Sequence, residues 1–176
     1  MKRVLVWALL LANVAVAEDL NDGIEAFKKQ DFSKAFSVFM QECNEKNMEG
    51  CVRAGTLYLQ GRRGVKQDYA KALELYTQAC TNKNYSGCNK AGDMYAQGKG
   101  VKQDYKKAIE LDMQGCDGKD GEACRNLGFM HYKGQGTEQN QAKAIEFYVK
   151  ACEYKDTLAC NQLEVIRHYK IMDTNK

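Results

Sequence analysis

The chain has no proline, two histidines and three serines among its 176 residues. Without proline, glycine and capping side chains must mark the ends of the helices. His131 and His168 are too few for a multi-histidine metal centre. The serines are Ser33, Ser37 and Ser86, and none is followed three positions later by lysine. The Ser-x-x-Lys nucleophile motif is therefore missing.

Other motifs that carry chemistry are also missing. The sequence has no Cys-x-x-Cys for redox exchange and no glycine motif for phosphate binding. Its formal net charge is only +3, and it lacks the concentrated basic face that nucleic-acid binding needs. We therefore predict no nucleic-acid partner, no metal and no cofactor, and the sequence identifies no catalytic residue.

Residues 1–17 have the pattern of a secretory signal peptide. Lys2 and Arg3 precede an apolar stretch, and Ala15-Val16-Ala17 fits the cleavage site, so the mature chain is expected to begin at Glu18. A membrane anchor is the alternative, but the stretch is shorter than the roughly 20 apolar residues that cross a bilayer. We predict a secreted or periplasmic protein that does not span the membrane.

The eight cysteines form four pairs, and the two members of each pair lie eight positions apart. The pairs are Cys43 and Cys51, Cys80 and Cys88, Cys116 and Cys124, and Cys152 and Cys160. Their first members follow one another at intervals of 37, 36 and 36 residues, which is typical of a helical repeat array. In an exported protein such cysteines favour disulfides, and the tandem arrangement favours closure of each pair on itself. Zinc binding is the competing use, but this spacing does not match the usual ligand spacing.

Each repeat contains two amphipathic segments. The segment before the first cysteine, helix B, has apolar residues at three- and four-residue spacing, as in Ala72, Leu75, Tyr76 and Ala79. The segment after the second cysteine is helix A. It carries a glycine at one repeated position, which suggests that two helices approach closely there, and these glycines are Gly23, Gly55, Gly92 and Gly128.

Turn and capping residues recur at the boundary between helix A and helix B. The predicted helix A ends are Gly61, Gly98 and Gly134. The predicted N-caps of helix B are Asp68, Asp104 and Asn140.

These patterns predict an all-α fold, an α/α solenoid of about four disulfide-linked helix pairs with a C-terminal capping helix. The expected solenoid covers residues 18–176, and its first A helix covers Leu20 to Gln30. The repeats are expected at about 20–47, 48–84, 85–120 and 121–156, with the capping helix at 157–172. We expect a monomer.

The segment from Ala91 to Ala108 resembles the Sel-like repeat, a relative of the tetratricopeptide repeat, in its small-Gly pair, aromatic residue, spaced glycines and Lys-Ala ending. Ala54 to Ala72 and Asn126 to Ala144 show the same pattern, with His131 for the aromatic residue in the second. With paired cysteines added, the chain resembles the Helicobacter cysteine-rich proteins. The resemblance implies a secreted or periplasmic solenoid with one disulfide per repeat. Some members are described as penicillin-binding proteins or β-lactamases, and others as interaction proteins.

A solenoid of helix pairs offers an extended concave surface for binding. Along one face of helix A the residue types differ from repeat to repeat, whereas the residue types at the core positions are similar in all repeats. Its candidate binding residues are Arg53, Gln60, Lys90, Gln97, Asn126 and Lys133, with Thr56, Asp93 and Phe129 between them. We predict binding of a peptide, a protein or a cell-wall fragment. The alternative, hydrolysis of β-lactams, depends on the resemblance alone.

Overall fold

A computed structural model describes residues 19–174, and the side chains of residues 19–166. The expected signal peptide and the side chain of His168 lie outside the described residues. Within them the chain forms nine helices and no strand. The helices are α1 (Leu20–Lys28), α2 (Phe32–Asn44), α3 (Met48–Gln60), α4 (Tyr69–Thr81), α5 (Tyr85–Gln97), α6 (Tyr105–Asp117), α7 (Gly121–Lys133), α8 (Gln141–Glu153) and α9 (Thr157–Thr174).

The predicted solenoid is confirmed, because each helix packs mainly against its immediate neighbours in the chain. Helices α1, α3, α5 and α7 are the A helices, and α2, α4, α6 and α8 are the B helices. The expectation for α1 was two residues too long, since the helix ends at Lys28 and Gln30 has a left-handed φ of 62°. No helix among the described residues combines the length and hydrophobicity that crossing a membrane requires.

The predicted caps are confirmed at the three boundaries from α3 to α4, from α5 to α6 and from α7 to α8. Gly61, Gly98 and Gly134 end α3, α5 and α7 in the left-handed conformation. Asp68, Asp104 and Asn140 begin α4, α6 and α8, and each side chain accepts a hydrogen bond from the backbone N–H three residues later.

The close approach predicted at the A-helix glycines is also confirmed. A Cβ atom at Gly55 would lie 2.9 Å from the ring of Tyr76 on α4. A Cβ atom at Gly128 would lie 2.7 Å from the ring of Tyr148 on α8. Both rings are buried, so glycine is needed because it leaves room for an aromatic side chain between the two helices.

The four disulfides join α2 to α3, α4 to α5, α6 to α7 and α8 to α9. Each connects a B helix to the A helix of the next repeat, so the disulfides link neighbouring repeats. One lysine in each enclosed turn has a left-handed φ, and these residues are Lys46, Lys83, Lys119 and Lys155. The disulfides indicate an oxidising compartment outside the cytoplasm.

Candidate functional site

Three cavities lie along the face formed by the varying residues of the A helices. We call them the Arg53 cavity, the Asp112 cavity and the Phe129 cavity. Each is lined by at least one residue from the position shared by Thr56, Asp93 and Phe129. The candidate site is therefore a row of pockets between repeats.

The Arg53 cavity has a volume of about 190 Å³. It is lined by Phe27, Phe39, Glu49, Val52, Arg53 and Thr56. The Arg53 guanidinium pairs with Glu49 at 2.8 Å and lies 5.9 Å from the centre of the Phe39 ring. Its Nε atom is buried without a hydrogen-bond partner. The neighbouring Thr56 hydroxyl lies 3.0 Å from the Tyr76 hydroxyl, so Arg53 and Thr56 are held by contacts within the protein.

The Asp112 cavity has a volume of about 260 Å³ and lies between α5, α6 and α7. It is lined by Asp93, Ala96, Gln97, Tyr105, Asp112, Asn126, Phe129, Met130 and Gln135. Gln97 and Phe129 are exposed at its rim, whereas Asp112 is only 1% exposed. The cavity thus opens at the surface and has a carboxyl group at its floor.

Asp112 occupies a position that is aromatic in the other three B helices. The equivalent residues are Phe39, Tyr76 and Tyr148, and all three are buried. Asp112 also faces the repeated glycine of its helix pair, because a Cβ atom at Gly92 would lie 2.9 Å from Asp112 Oδ1. Phe39 and Tyr148 line the Arg53 and Phe129 cavities, so Asp112 puts a carboxyl group where those cavities have an aromatic ring.

Two amides lie beside the carboxyl groups of this cavity. The Asn89 side chain is fully buried and donates to Asp112 Oδ1 across 3.4 Å. Asn126 donates to Asp93 Oδ1 across 2.9 Å. Burial, together with the charge of Asp93, raises the pKa of Asp112 to about 8. Burial also raises the pKa of Asp93, although Lys90 opposes that shift.

The Phe129 cavity, of about 550 Å³, lies between α7, α8 and α9. It is lined by Arg125, Asn126, Phe129, Tyr148, Leu158, Asn161, Gln162 and Val165. Three of these apolar side chains are solvent-exposed: Phe129 by 47%, Leu158 by 62% and Val165 by 51%. Since Asn126 and Phe129 also line the Asp112 cavity, the two cavities form one surface, with two carboxyl groups on one side and exposed apolar side chains on the other.

The structure places the six predicted binding residues in two groups. Arg53, Gln97 and Asn126 line the cavities. The other three lie outside the cavity linings and make contacts of their own. Gln60 accepts a hydrogen bond from Arg62 at 2.8 Å, Lys90 pairs with Glu122 at 2.8 Å, and the Lys133 ammonium lies 5.2 Å from the centre of the Tyr132 ring. Their role in binding remains a prediction.

His131 has the contacts of a packing residue. It is buried, and its ring stacks on Phe147 with the ring centres 5.4 Å apart. Burial lowers its pKa, which favours the neutral ring. Among residues 19–166 no group of three or more histidine, cysteine or acidic side chains is arranged to hold a metal ion.

The serines lie away from the three cavities. Ser33 and Ser37 are exposed on α2, and Ser86 lies in the first turn of α5. None lines the Arg53, Asp112 or Phe129 cavity. A serine nucleophile is therefore not part of the candidate site.

The family model of the Sel1 repeat matches residues 49–84, 86–111 and 121–153. The chain belongs to the Sel1 repeat family. Proteins built from Sel1 repeats generally act as scaffolds for protein interaction. Among curated proteins there is no significant match.

Solved structures of Sel1 repeat proteins have the same fold. Cysteine rich protein B of Helicobacter pylori is 26% identical, with a TM-score of 0.57, and the match covers 81% of this chain and 95% of that one. Protein c5321, a protective antigen of uropathogenic Escherichia coli, is 26% identical with a TM-score of 0.73, and the match covers 82% and 32% of the two chains. A Sel1 repeat protein from Oxalobacter formigenes is 24% identical with a TM-score of 0.72, and the match covers 80% and 58%. This chain thus spans about a third to a little over half of the latter two proteins.

The sequence reasoning missed Asp112, Asn89, Leu158 and Val165. Asp112 was visible as an exception in the aligned repeats, because it replaces an aromatic residue. Asn89 was not, since the equivalent residues are Val52, Arg125 and Asn161. Leu158 and Val165 gave no such signal, since apolar residues are expected on a helix. Only their 62% and 51% exposure marks them as part of a surface site.

Proposed function

We propose that the protein is exported and binds an extended peptide segment of a partner protein along the A-helix face. The observation that carries the proposal is the continuous surface formed by the Asp112 and Phe129 cavities. Peptide recognition commonly combines pockets for side chains with polar groups that fix the orientation of the backbone. Asn126, Asn161 and Gln162 supply such polar groups beside the apolar side chains.

The distribution of exposed apolar residues supports this choice of face. Eight large apolar residues are exposed in the part of the chain that the structure describes, and four of them line the cavities. Phe27 lines the Arg53 cavity, and Phe129, Leu158 and Val165 line the Phe129 cavity. Exposed apolar side chains grouped in this way are typical of an interaction site. The Sel1 repeat fold also favours protein binding over binding of a free cell-wall fragment. No observation within the described residues favours β-lactam hydrolysis.

The test is selection of peptides by display against the oxidised protein, followed by fluorescence anisotropy with the selected peptides. Phe129→Ala should weaken binding by about tenfold or more, because aromatic residues at the centre of an interface carry much of its binding energy. Tyr132→Ala is the matched control, since Tyr132 is an exposed aromatic residue of the same helix that does not line the three cavities. Failure to enrich any peptide, or equal affinities of the two variants, would contradict the proposal.

A further inference from the structure

The Asp112 cavity differs chemically from the equivalent space in the other repeats. The equivalent cavities are lined by the rings of Phe39 and Tyr148, whereas this one is lined by the Asp112 carboxyl group. An ionised carboxyl group can accept about four hydrogen bonds. Asn89 supplies one long hydrogen bond of 3.4 Å to Oδ1, and the Asn126 amide is the other donor beside the group. The Asp112 carboxylate can therefore accept further hydrogen bonds from a group bound in the cavity.

The charges around the cavity are mainly negative. Two carboxyl groups, those of Asp93 and Asp112, line it. The carboxyl groups of Asp120 and Glu122 and the cations Lys90 and Arg125 lie close enough to act on their charges. The two cations, Lys90 and Arg125, already pair with Glu122 and Asp156 at 2.8 and 2.9 Å. A guest with positive charge is therefore favoured over a neutral or negative one.

The walls suit a long side chain with a charged end. Ala96, Phe129 and Met130 line the cavity and can contact a methylene chain, while the ring of Phe129 can attract a cation. The volume of about 260 Å³ suits a single side chain rather than a larger ligand. Beyond Phe129, the apolar Phe129 cavity begins.

We propose that the Asp112 cavity binds the lysine or arginine side chain of a bound peptide, with Asp112 and Asp93 as acceptors and an apolar side chain of the same peptide in the Phe129 cavity. This inference rests on the proposed peptide-binding function and specifies the class of peptide. Charge complementarity at the floor selects the basic residue, and the exposed Phe129, Leu158 and Val165 select the apolar one.

Binding of the cation should depend on pH. The raised pKa of Asp112, about 8, means that the empty cavity keeps this carboxyl group mostly protonated at neutral pH. The cation favours the ionised carboxylate, so binding releases a proton. Affinity should rise by up to about tenfold per pH unit below pH 8 and then level off. Asp93 and Asp120, which face Asp112 from α5 and the start of α7, have pKa values raised by burial and shift in the same direction.

The first experiment tests the cavity without a peptide. n-Propylguanidinium stays charged at every pH used, and n-propylurea is its neutral isostere. The oxidised protein is titrated with each, and NMR follows the side-chain amides of Asn89 and Asn126 and the carboxyl carbon of Asp112. We expect saturable shifts with the guanidinium probe at about tenfold or more lower concentration than with the urea. Equal responses to the two probes would overturn the assignment.

Variants show whether the guanidinium probe binds inside the cavity or is only attracted by negative charge on the protein surface. Asp112→Asn preserves the shape and Asp112→Tyr restores the aromatic residue of the other repeats, and both should abolish the preference for the guanidinium probe. Asp117→Asn removes one exposed charge from the same helix outside the cavity and should leave it unchanged. Because Asp112→Asn is isosteric, it remains informative if Asp112→Tyr does not fold. Retention of the preference in either Asp112 variant would overturn the proposal.

Peptide display on the wild-type protein and on Asp112→Asn then tests the peptide class. We expect lysine or arginine next to an apolar residue in the wild-type selection, with loss of the basic residue in the variant. Enriched peptides without a basic residue would overturn this inference and leave the proposed function intact. A positive probe titration with no enriched peptide would instead overturn peptide binding.

Discussion

Asn89 donates a hydrogen bond to Asp112 across 3.4 Å inside the core, at positions that Val52 and Tyr76 occupy in the preceding repeat. An apolar pair has thus been exchanged for a polar pair that is nearly inaccessible to solvent. Burying a carboxyl group and an amide with long or few hydrogen bonds is costly. This repeat is therefore expected to be less stable than the preceding repeat, which has Val52 and Tyr76 at these positions.

Asp112→Tyr should stabilise the protein by about 1–2 kcal/mol, because it restores the aromatic packing of the other repeats and removes a buried carboxyl group. The introduced hydroxyl would lie near Asp93, as the Tyr76 hydroxyl lies 3.0 Å from Thr56. Urea denaturation followed by circular dichroism measures the change. Asp117→Asn, on the exposed side of the same helix, should change little. A lower urea midpoint in Asp112→Tyr would contradict this account of the cavity.

Asp112 should also make stability depend on pH. Its pKa is about 8 in the folded protein and near the ordinary aspartate value of 3.8 in the unfolded chain, so the folded state holds the proton more tightly. Below pH 3.8 the group is protonated in both states and carries no penalty from ionisation; between that value and pH 8 the unfolded state is increasingly favoured.

Asp112→Asn removes this contribution and leaves Asp93 and Asp120 in place. Its unfolding free energy should therefore exceed that of the wild type by an amount that grows from pH 4.5 to pH 8.5, up to a few kcal/mol. Urea denaturation of both proteins across that range measures the difference. A difference that stays constant with pH would show that Asp112 titrates normally.

Removing one disulfide should cost about 2.5 kcal/mol in the chain-entropy model, because each disulfide closes a loop of about nine residues. The double variant Cys80→Ala, Cys88→Ala tests this at the junction of α4 and α5. The comparison is made by urea denaturation without reductant. Adding excess reductant should lower the wild-type midpoint more than that of the double variant, which has one disulfide fewer to lose. An unchanged midpoint in the double variant would contradict the stabilising role.

Gly128→Ala should destabilise the protein by about 1–3 kcal/mol, because overpacking a buried site forces the neighbouring groups apart. The added methyl group would lie 2.7 Å from the Tyr148 ring and 3.1 Å from the Ala144 carbonyl oxygen. Tyr148→Leu in the same protein should recover part of the loss by removing the ring. Thermal denaturation of both single variants and the double variant measures the coupling. Strict additivity would show that the ring does not require the glycine.

Features that depend on neighbours in the chain could be predicted from the sequence. The caps at Asp68, Asp104 and Asn140 act over three residues, and each disulfide closes over eight. By contrast, the left-handed lysines of the disulfide turns, such as Lys83, were not predicted. Glycine at Gly61 indicated a left-handed conformation, whereas the presence of a lysine gives no such indication.

The sequence by itself determined the repeat, the order of the helices and the cysteine spacing, because these follow from period, amphipathicity and local capping. It also contained the exception at Asp112. Only the tertiary structure decided that this carboxyl group lies beneath Gly92, beside Asn89, in a cavity shared with Asn126 and Phe129. Those residues lie on α5, α6 and α7, and their contacts depend on how successive helix pairs stack. That stacking is a property of the packed repeats together, and no single stretch of the chain specifies it.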